Sequence, residues 1–256
     1  MCRWLAYSGS PIYLDSLLLE PENSLIHQSL HAHKGRTTTN GDGFGVGWYG
    51  ERGLPGLYRE ILPAWNDQNL HSLTRQIRSG LFFAHVRAST GTATSRANCH
   101  PFTFGPWLFM HNGQIGEYQR IRRTLDLLIP DATYPARLGT TDSELIFLLL
   151  FRHGLEKDPA AALRGATAEI VDIMQRAQIV EPFRMTAALS DGKRSWAVRF
   201  STDHEPPSLF WHGEPDELIV VSEPLDGVAH YWRPVPPGHL LSFEHGSEIV
   251  MEPFRI

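Results

Sequence analysis

The 256-residue chain is 42% hydrophobic and 20% charged, ordinary globular usage with enough apolar material for a sizeable core. Its formal charge of −5 offers no basic field for a phosphate backbone, which sets nucleic acid aside as an expected partner. No apolar signal core opens the chain and no stretch approaches the ~18 unbroken apolar residues of a membrane span, so the expected setting is the reducing cytoplasm, with Cys2 and Cys99 as thiols.

The chain opens MCRW, and RWLAYSG is apolar enough for a first strand. Cys2 then has two readings. It is a small hydrophobe opening a buried strand, or, once Met1 is removed, a thiol and a free α-amine on one residue. The unperturbed thiol titrates near about 8.5 and the amine near about 7.7–8.0, so moving the proton from sulfur to nitrogen costs only about 1 kcal/mol. Nucleophile and base would then need no catalytic histidine. On that reading Met1 is expected to be absent from the active protein.

HQSLHAH carries His27, His31 and His33, but their spacing fits neither a zincin helix nor a Cys/His finger, and no metal is expected. DGFGVGWYG reads as a strand. Its alternating glycines lack the Lys-Ser/Thr of a phosphate loop and suit the close approach of another backbone. GLFFAHVRAST is a second buried strand ending at Arg87, a guanidinium able to grip a carboxylate with two hydrogen bonds or to make a structural ion pair. WLFMHNGQI reads as a strand running into a turn. Asn112-Gly113 is either a hairpin turn or a pair of donors for an oxyanion.

Three helices follow. EYQRIRRTLDLLI places Tyr118, Ile121, Leu125 and Leu128 at helical spacing. TTDSELIFLLLFRHGL opens with a capping box, Thr141 and Glu144. Its Asp142 either serves the helix start or holds an ammonium. DPAAALRGATAEIVDIMQRA has Asp158 as N-cap and Pro159 at the first helical position. Strands return in MTAALSDGKRSWAVRF, a hairpin with Asp191-Gly192 suited to a type I′ turn, then in SLFWHG, ELIVVSEPL and HLLSFEHGSEIVMEP. Strands, helices, then strands predict one α+β domain over residues 1–256. Trp107, Trp211 and Trp232 are large aromatics that fit either an acceptor pocket or the core.

Taken together, a terminal thiol, an Arg for a carboxylate, an Asp for an ammonium and two oxyanion donors describe a site for glutamine. The motif order MC, NGDGFGVG, HVRAST, NCHPF, HNG and TTDSE, with a weaker echo in SEPL, resembles the class II glutamine amidotransferases, a family of N-terminal-nucleophile hydrolases. The resemblance implies a four-layer αββα sandwich with no cofactor. It implies Cys2 as nucleophile with its α-amine as base, and Asn112 and Gly113 as the oxyanion hole. Arg87 would bind the substrate carboxylate, Thr90 would line the pocket and Asp142 would bind the ammonium. Asn40 and Asp42 would support the nucleophile, and His100 would be structural.

The compact layout, ending at Ile256 without a long acceptor domain, is more similar to the stand-alone members, a group that includes the γ-glutamyl hydrolase of ergothioneine biosynthesis. The expected activity is hydrolysis of the amide of glutamine or a γ-glutamyl conjugate. The alternatives are a glutaminase subunit passing ammonia to a separate synthase partner, and a catalytically silent glutamine-binding module.

Overall fold

The structure is a computed structural model that describes residues 2–30, 39–89, 93–214, 216–228 and 230–256. Strand β1 (Arg3–Tyr13) leads to the short helices α1 (Asp15–Leu18) and α2 (Leu25–Leu30), strands β2 (Phe44–Tyr49) and β3 (Gly56–Glu60), helix α3 (Gln68–Thr74) and strand β4 (Arg78–Val86). Strands β5 (Phe102–Phe104) and β6 (Trp107–Gln114) precede helices α4 (Tyr118–Asp126), α5 (Asp142–Arg152) and α6 (Pro159–Arg176). The chain closes with β7 (Arg184–Ser190), β8 (Arg194–Ser201), β9 (Phe210–Glu214), β10 (Glu217–Val221), β11 (Arg233–Pro234), β12 (His239–Glu244) and β13 (Val250–Pro253).

The strands form two antiparallel sheets, one ordered β11-β9-β10-β1-β4-β2-β3 and the other β13-β12-β8-β7-β6-β5. Alternation along β1 shows how they stack. Trp4 and Ala6 turn inward to meet Leu108, Met110 and Ala188 of the second sheet. Leu5 and Tyr7 turn outward against Leu18, Leu25 and Leu70 of α1 to α3. On the far side, Phe109 and Leu189 pack on α4 to α6. The layers are therefore helix, sheet, sheet, helix, the αββα sandwich. Because both faces of the central strands are buried, they read as continuous apolar runs rather than as alternating strands. Each large side chain fully withdrawn from water contributes about 1.5–3 kcal/mol.

Gly45 on β2 admits the chain at His100, since a Cβ there would lie 2.1 Å from the His100 carbonyl oxygen. Gly45 thus serves close backbone approach, while Gly47 makes room for the Leu108 and Pro101 side chains. Helix α6 starts as its sequence predicts, with the Asp158 side chain accepting from Ala161 N at 3.0 Å and Pro159 in the first turn.

Three local expectations need correction. Residues 112 and 113 lie within β6, which runs to Gln114, and not in a turn. The 184–201 hairpin forms, but Asp191 N donates to Arg194 O and only Gly192, at φ 90°, has a positive φ there. One positive φ at the first central position is the type II′ pattern, centred on Gly192-Lys193 rather than Asp191-Gly192. Only half of the capping box forms: Thr141 accepts from Glu144 N at 3.2 Å. The Glu144 carboxylate turns instead to Leu138 N, Gly139 N and Arg137.

Candidate active site

Cys2 immediately precedes β1, and the register that pairs Arg3 with Val86 sets it beside the residues that leave β4. The Ala88 amide donates to the Cys2 Sγ at 3.4 Å, and the thiol reaches Ala88 O at 3.5 Å. Burial pushes the thiol pKa up, while the Ala88 hydrogen bond and the positive charges of Arg87 and Arg3 oppose that rise. An N–H aimed at sulfur favours the thiolate, the form that attacks.

Arg87 is buried at the end of β4. Its Nη1 donates to Asp42 O at 3.1 Å and its Nη2 to Ser89 Oγ at 3.2 Å. Asp42 answers through both backbone and side chain. Its N–H donates to Arg87 O at 3.0 Å and its Oδ2 accepts from Ser89 N at 2.7 Å. The NGDG segment therefore continues the β2–β4 ladder past the strand ends and fixes the turn carrying Ala88 and Ser89. Asn40, two residues before Asp42, is wholly buried, and neither side-chain amide atom has a hydrogen-bond partner among the described residues. Such a group costs about 1–3 kcal/mol until something pairs with it.

The second sheet brings the other part of the site. Asn112 pairs with Thr186 in the β6–β7 register, and Gly113 pairs with Met185. Gly113 has φ 148°, and a Cβ on it would sit 1.9 Å from Arg184 O, so both dihedral and space demand glycine. Just past β6, Ile115 N donates to Asp142 Oδ2 at 2.9 Å, while Asp142 Oδ1 accepts from Ser143 N at 2.8 Å. The Asp142 carboxylate thus ties the exit of β6 to the first turn of α5. Thr186 links the two sheets. Its Oγ1 accepts from the Trp4 indole N–H at 3.3 Å and donates to Asn112 O at 3.3 Å.

Beneath the site lie three buried histidines. The His85 and His100 rings stack at 4.1 Å, with the edge of Phe102 against His100. His111 Nδ1 is 2.8 Å from Ser143 Oγ. Burial lowers all three pKa values, His85 to about 3 and His100 well below its ordinary range, so each ring is neutral at pH 7.

Of the residues singled out from sequence, Cys2, Arg87 and Asp42 form one cluster and Asn112, Gly113 and Asp142 another. His100 sits in the layer between the sheets. Thr90, Met1, His31 and His33 lie outside the described residues. Among the described residues no group of three or more His, Cys, Asp or Glu is placed to hold a metal ion, and no helix is long and apolar enough to cross a membrane. The three tryptophans do not meet: Trp107 packs on the α4–α6 side, Trp232 on the α1–α3 side, and Trp211 lies against the inter-sheet layer.

Among the residues that brace these clusters, Asn98 and Arg137 carry no sequence expectation and Glu144 is expected only as a capping-box partner. Asn98 accepts from Thr140 N at 2.8 Å and donates to Ala93 O at 2.8 Å, stitching the segment after residue 92 to the loop before α5. Glu144 and Arg137 shape that same loop. Asn98 lies inside NCHPF and Glu144 inside TTDSE, while Arg137 lies in neither motif.

The sequence profile described as "Glutamine amidotransferases class-II" matches residues 18–205. A probable glutamine amidotransferase of Saccharomyces cerevisiae, DUG3, is 35% identical over 95% of this chain and 82% of its own. The gamma-glutamyl-hercynylcysteine sulfoxide hydrolase of Mycolicibacterium smegmatis is 28% identical over 98% of this chain and 99% of its own. Among solved structures, a glutamine aminotransferase class-II domain protein from Silicibacter pomeroyi superposes with a TM-score of 0.78 at 36% identity, covering all of both chains.

Proposed function

For a chain that belongs to the class-II glutamine amidotransferases, we propose hydrolysis of a γ-glutamyl amide bond by the Cys2 thiol. The observation that carries this reading is the Ala88 amide directed at the Cys2 Sγ, one residue from the buried Arg87 guanidinium. With Met1 removed, the α-amine of Cys2 takes the thiol proton and the sulfur attacks the γ-carbonyl carbon. The carbonyl oxygen becomes an oxyanion received by the Asn112 side-chain amide and the Gly113 N–H. As the C–N bond breaks, the leaving amine takes the proton from the α-ammonium. Water, deprotonated by the same amine, then splits the γ-glutamyl thioester, releasing glutamate and restoring the thiol.

Recognition of the glutamyl half falls to Arg87 for the α-carboxylate and Asp142 for the α-ammonium. Asp42 holds the Ala88–Ser89 turn, and Asn40 offers an unspent donor and acceptor. His100 serves packing, since a ring held neutral and stacked on His85 is poorly suited to shuttle protons at pH 7. No step uses a metal or cofactor.

The mycobacterial relative, whose chain matches this one nearly end to end, supports an amine of a γ-glutamyl conjugate as the leaving group. The amidotransferase name of the yeast relative supports a second reading, a glutaminase delivering ammonia to a synthase partner. The test is a panel of γ-glutamyl amides given to protein whose Met1 removal is confirmed by mass. Turnover of conjugates over glutamine supports the hydrolase, and glutamine turnover only with a co-purified partner supports the second reading. Full activity in Cys2→Ala would overturn both.

A further inference from the structure

The MCRW and SEPL segments lie more than two hundred residues apart, yet they interlock behind the nucleophile. Arg3 Nε donates to Glu223 Oε1 at 2.7 Å and its Nη2 meets the same carboxylate oxygen, with the two side chains only 2% and 3% exposed. The same guanidinium turns back, and its Nη1 donates to the carbonyl oxygen of Cys2 at 3.0 Å. One residue on, Trp4 N donates to Ser222 Oγ at 3.0 Å and Ser222 N donates to Trp4 O at 3.0 Å. The 222–225 segment is itself anchored from outside. Asn23 holds Pro224 O and Leu225 O, Gln28 reaches Glu223 O, and Ser208 Oγ donates to Ser222 O.

A buried ion pair is a poor device for stability, because apolar side chains of similar volume commonly do as well. What this pair supplies is geometry. Cys2 precedes the first strand, where a chain end frays unless it is tied down. Its carbonyl is gripped by a guanidinium whose own direction is set by a two-point contact with a fixed carboxylate.

We propose that Arg3 and Glu223 are positioning residues, a clasp that fixes the backbone of Cys2 and thereby aims its thiol and α-amine at the substrate carbonyl. The proposal rests on the reading of Cys2 as nucleophile. Neither side chain is assigned contact with substrate. Both act through the Cys2 backbone, so their loss should slow the chemistry more than it weakens capture by Arg87 and Asp142.

A single substitution strands a buried charge and risks unfolding the protein, so the informative variant is Arg3→Met/Glu223→Met. It should melt near the wild-type temperature while kcat falls about tenfold or more and KM stays within about threefold. Arg3→Lys, which keeps the charge and loses the fork, should recover part of that loss. Iodoacetamide labelling of Cys2, followed by mass, should be slower in the double variant than in wild type, with no substrate present. A folded double variant with kcat within about twofold of wild type would overturn the clasp, as would labelling of Cys2 at the wild-type rate. Failure of the parent reading looks different: Cys2→Ala keeps its activity, whatever the clasp variants do.

Discussion

The two clusters of the site are held by different physics. On the first sheet, Cys2, Arg87 and Asp42 are fixed by buried charge and by hydrogen bonds to backbone, with Arg3 and Glu223 behind them. On the second, Asn112 and Gly113 sit inside a continuous strand whose shape is set by φ 148° at a position with no room for a Cβ. A polar clasp can be exchanged for another pair of similar volume. A glycine in that conformation cannot be exchanged at all. The clasp behind the first cluster can therefore be replaced without unfolding the chain, at a cost in rate, whereas Gly113 in the second cannot be replaced without disturbing the strand itself.

The largest expected effect falls on the first cluster. Cys2→Ala should lower turnover of a γ-glutamyl amide by at least about 10³-fold without shifting the melting temperature. Activity and a thermal melt on the same preparation check both halves of that statement. On the second cluster, Asn112→Ala should lower kcat by about 10²–10³-fold with little change in KM, since an oxyanion donor acts mainly in the transition state. A rise in KM equal to the fall in kcat would move Asn112 out of the oxyanion hole and into ground-state binding.

Three buried histidines around the clusters respond to acid. His85 extends from the first sheet with His100 stacked on it, and His111 lies on the helix side of β6 against Ser143 of α5. Burial holds all three below their ordinary pKa, so above about pH 6.5 they are neutral whether folded or unfolded and stability does not depend on them. Below that pH the unfolded chain takes up protons that the native state refuses. His85, with a folded pKa of about 3, withdraws about 1.4 kcal/mol by pH 5.5 and continues to do so down towards about pH 3, and His100 and His111 act in the same direction. Urea unfolding at pH 7.5 and 5.5 measures the total, and His85→Gln should remove one proton's share of the slope. A wild-type stability that is flat over that interval would mean that the histidines are hydrated and charged.

Much of the architecture was legible because local chemistry and global packing agree in it. The 3.6 spacing of Ile121 and Leu125 and the cap at Asp158 mark helices that form, although α4 ends at Asp126 and leaves Leu128 beyond it. Strand β3 was missed because GLYRE is short, half-buried and at a sheet edge, where no apolar run announces it. Asn112-Gly113 read equally as a turn, because a sequence records that glycine is present but not whether a hairpin or a crowded strand requires it. The residues proposed for the site stand out in the sequence where a single side chain has the chemistry the proposal needs, at Cys2, Arg87 and Asp142. Residues that act by pairing across the fold do not stand out. Glu223 stands in the sequence only as part of SEPL, with nothing to join it to Arg3, and Thr186 reads as ordinary strand content until Trp4 reaches it.

That last contact allows the smallest and most specific test of the comparison. Thr186 Oγ1 accepts from the Trp4 indole and donates to the Asn112 carbonyl, a polar route from β1 to β6. Thr186→Val keeps the volume, removes both bonds and leaves a buried indole N–H unpaired, a cost of about 1–2 kcal/mol in urea unfolding. Trp4→Phe removes only the first bond and leaves the hydroxyl free to hold Asn112. If the bridge merely joins the sheets, both variants lose stability and neither loses kcat. If it also sets the donor angle at Asn112, kcat falls several-fold in Thr186→Val and hardly at all in Trp4→Phe. In the latter case Thr186→Val should also couple to Asn112→Ala by at least about 0.5 kcal/mol in kcat, because an angle cannot matter once the amide it aims is gone. Strict additivity would leave the two clusters independent, each positioned by its own sheet alone.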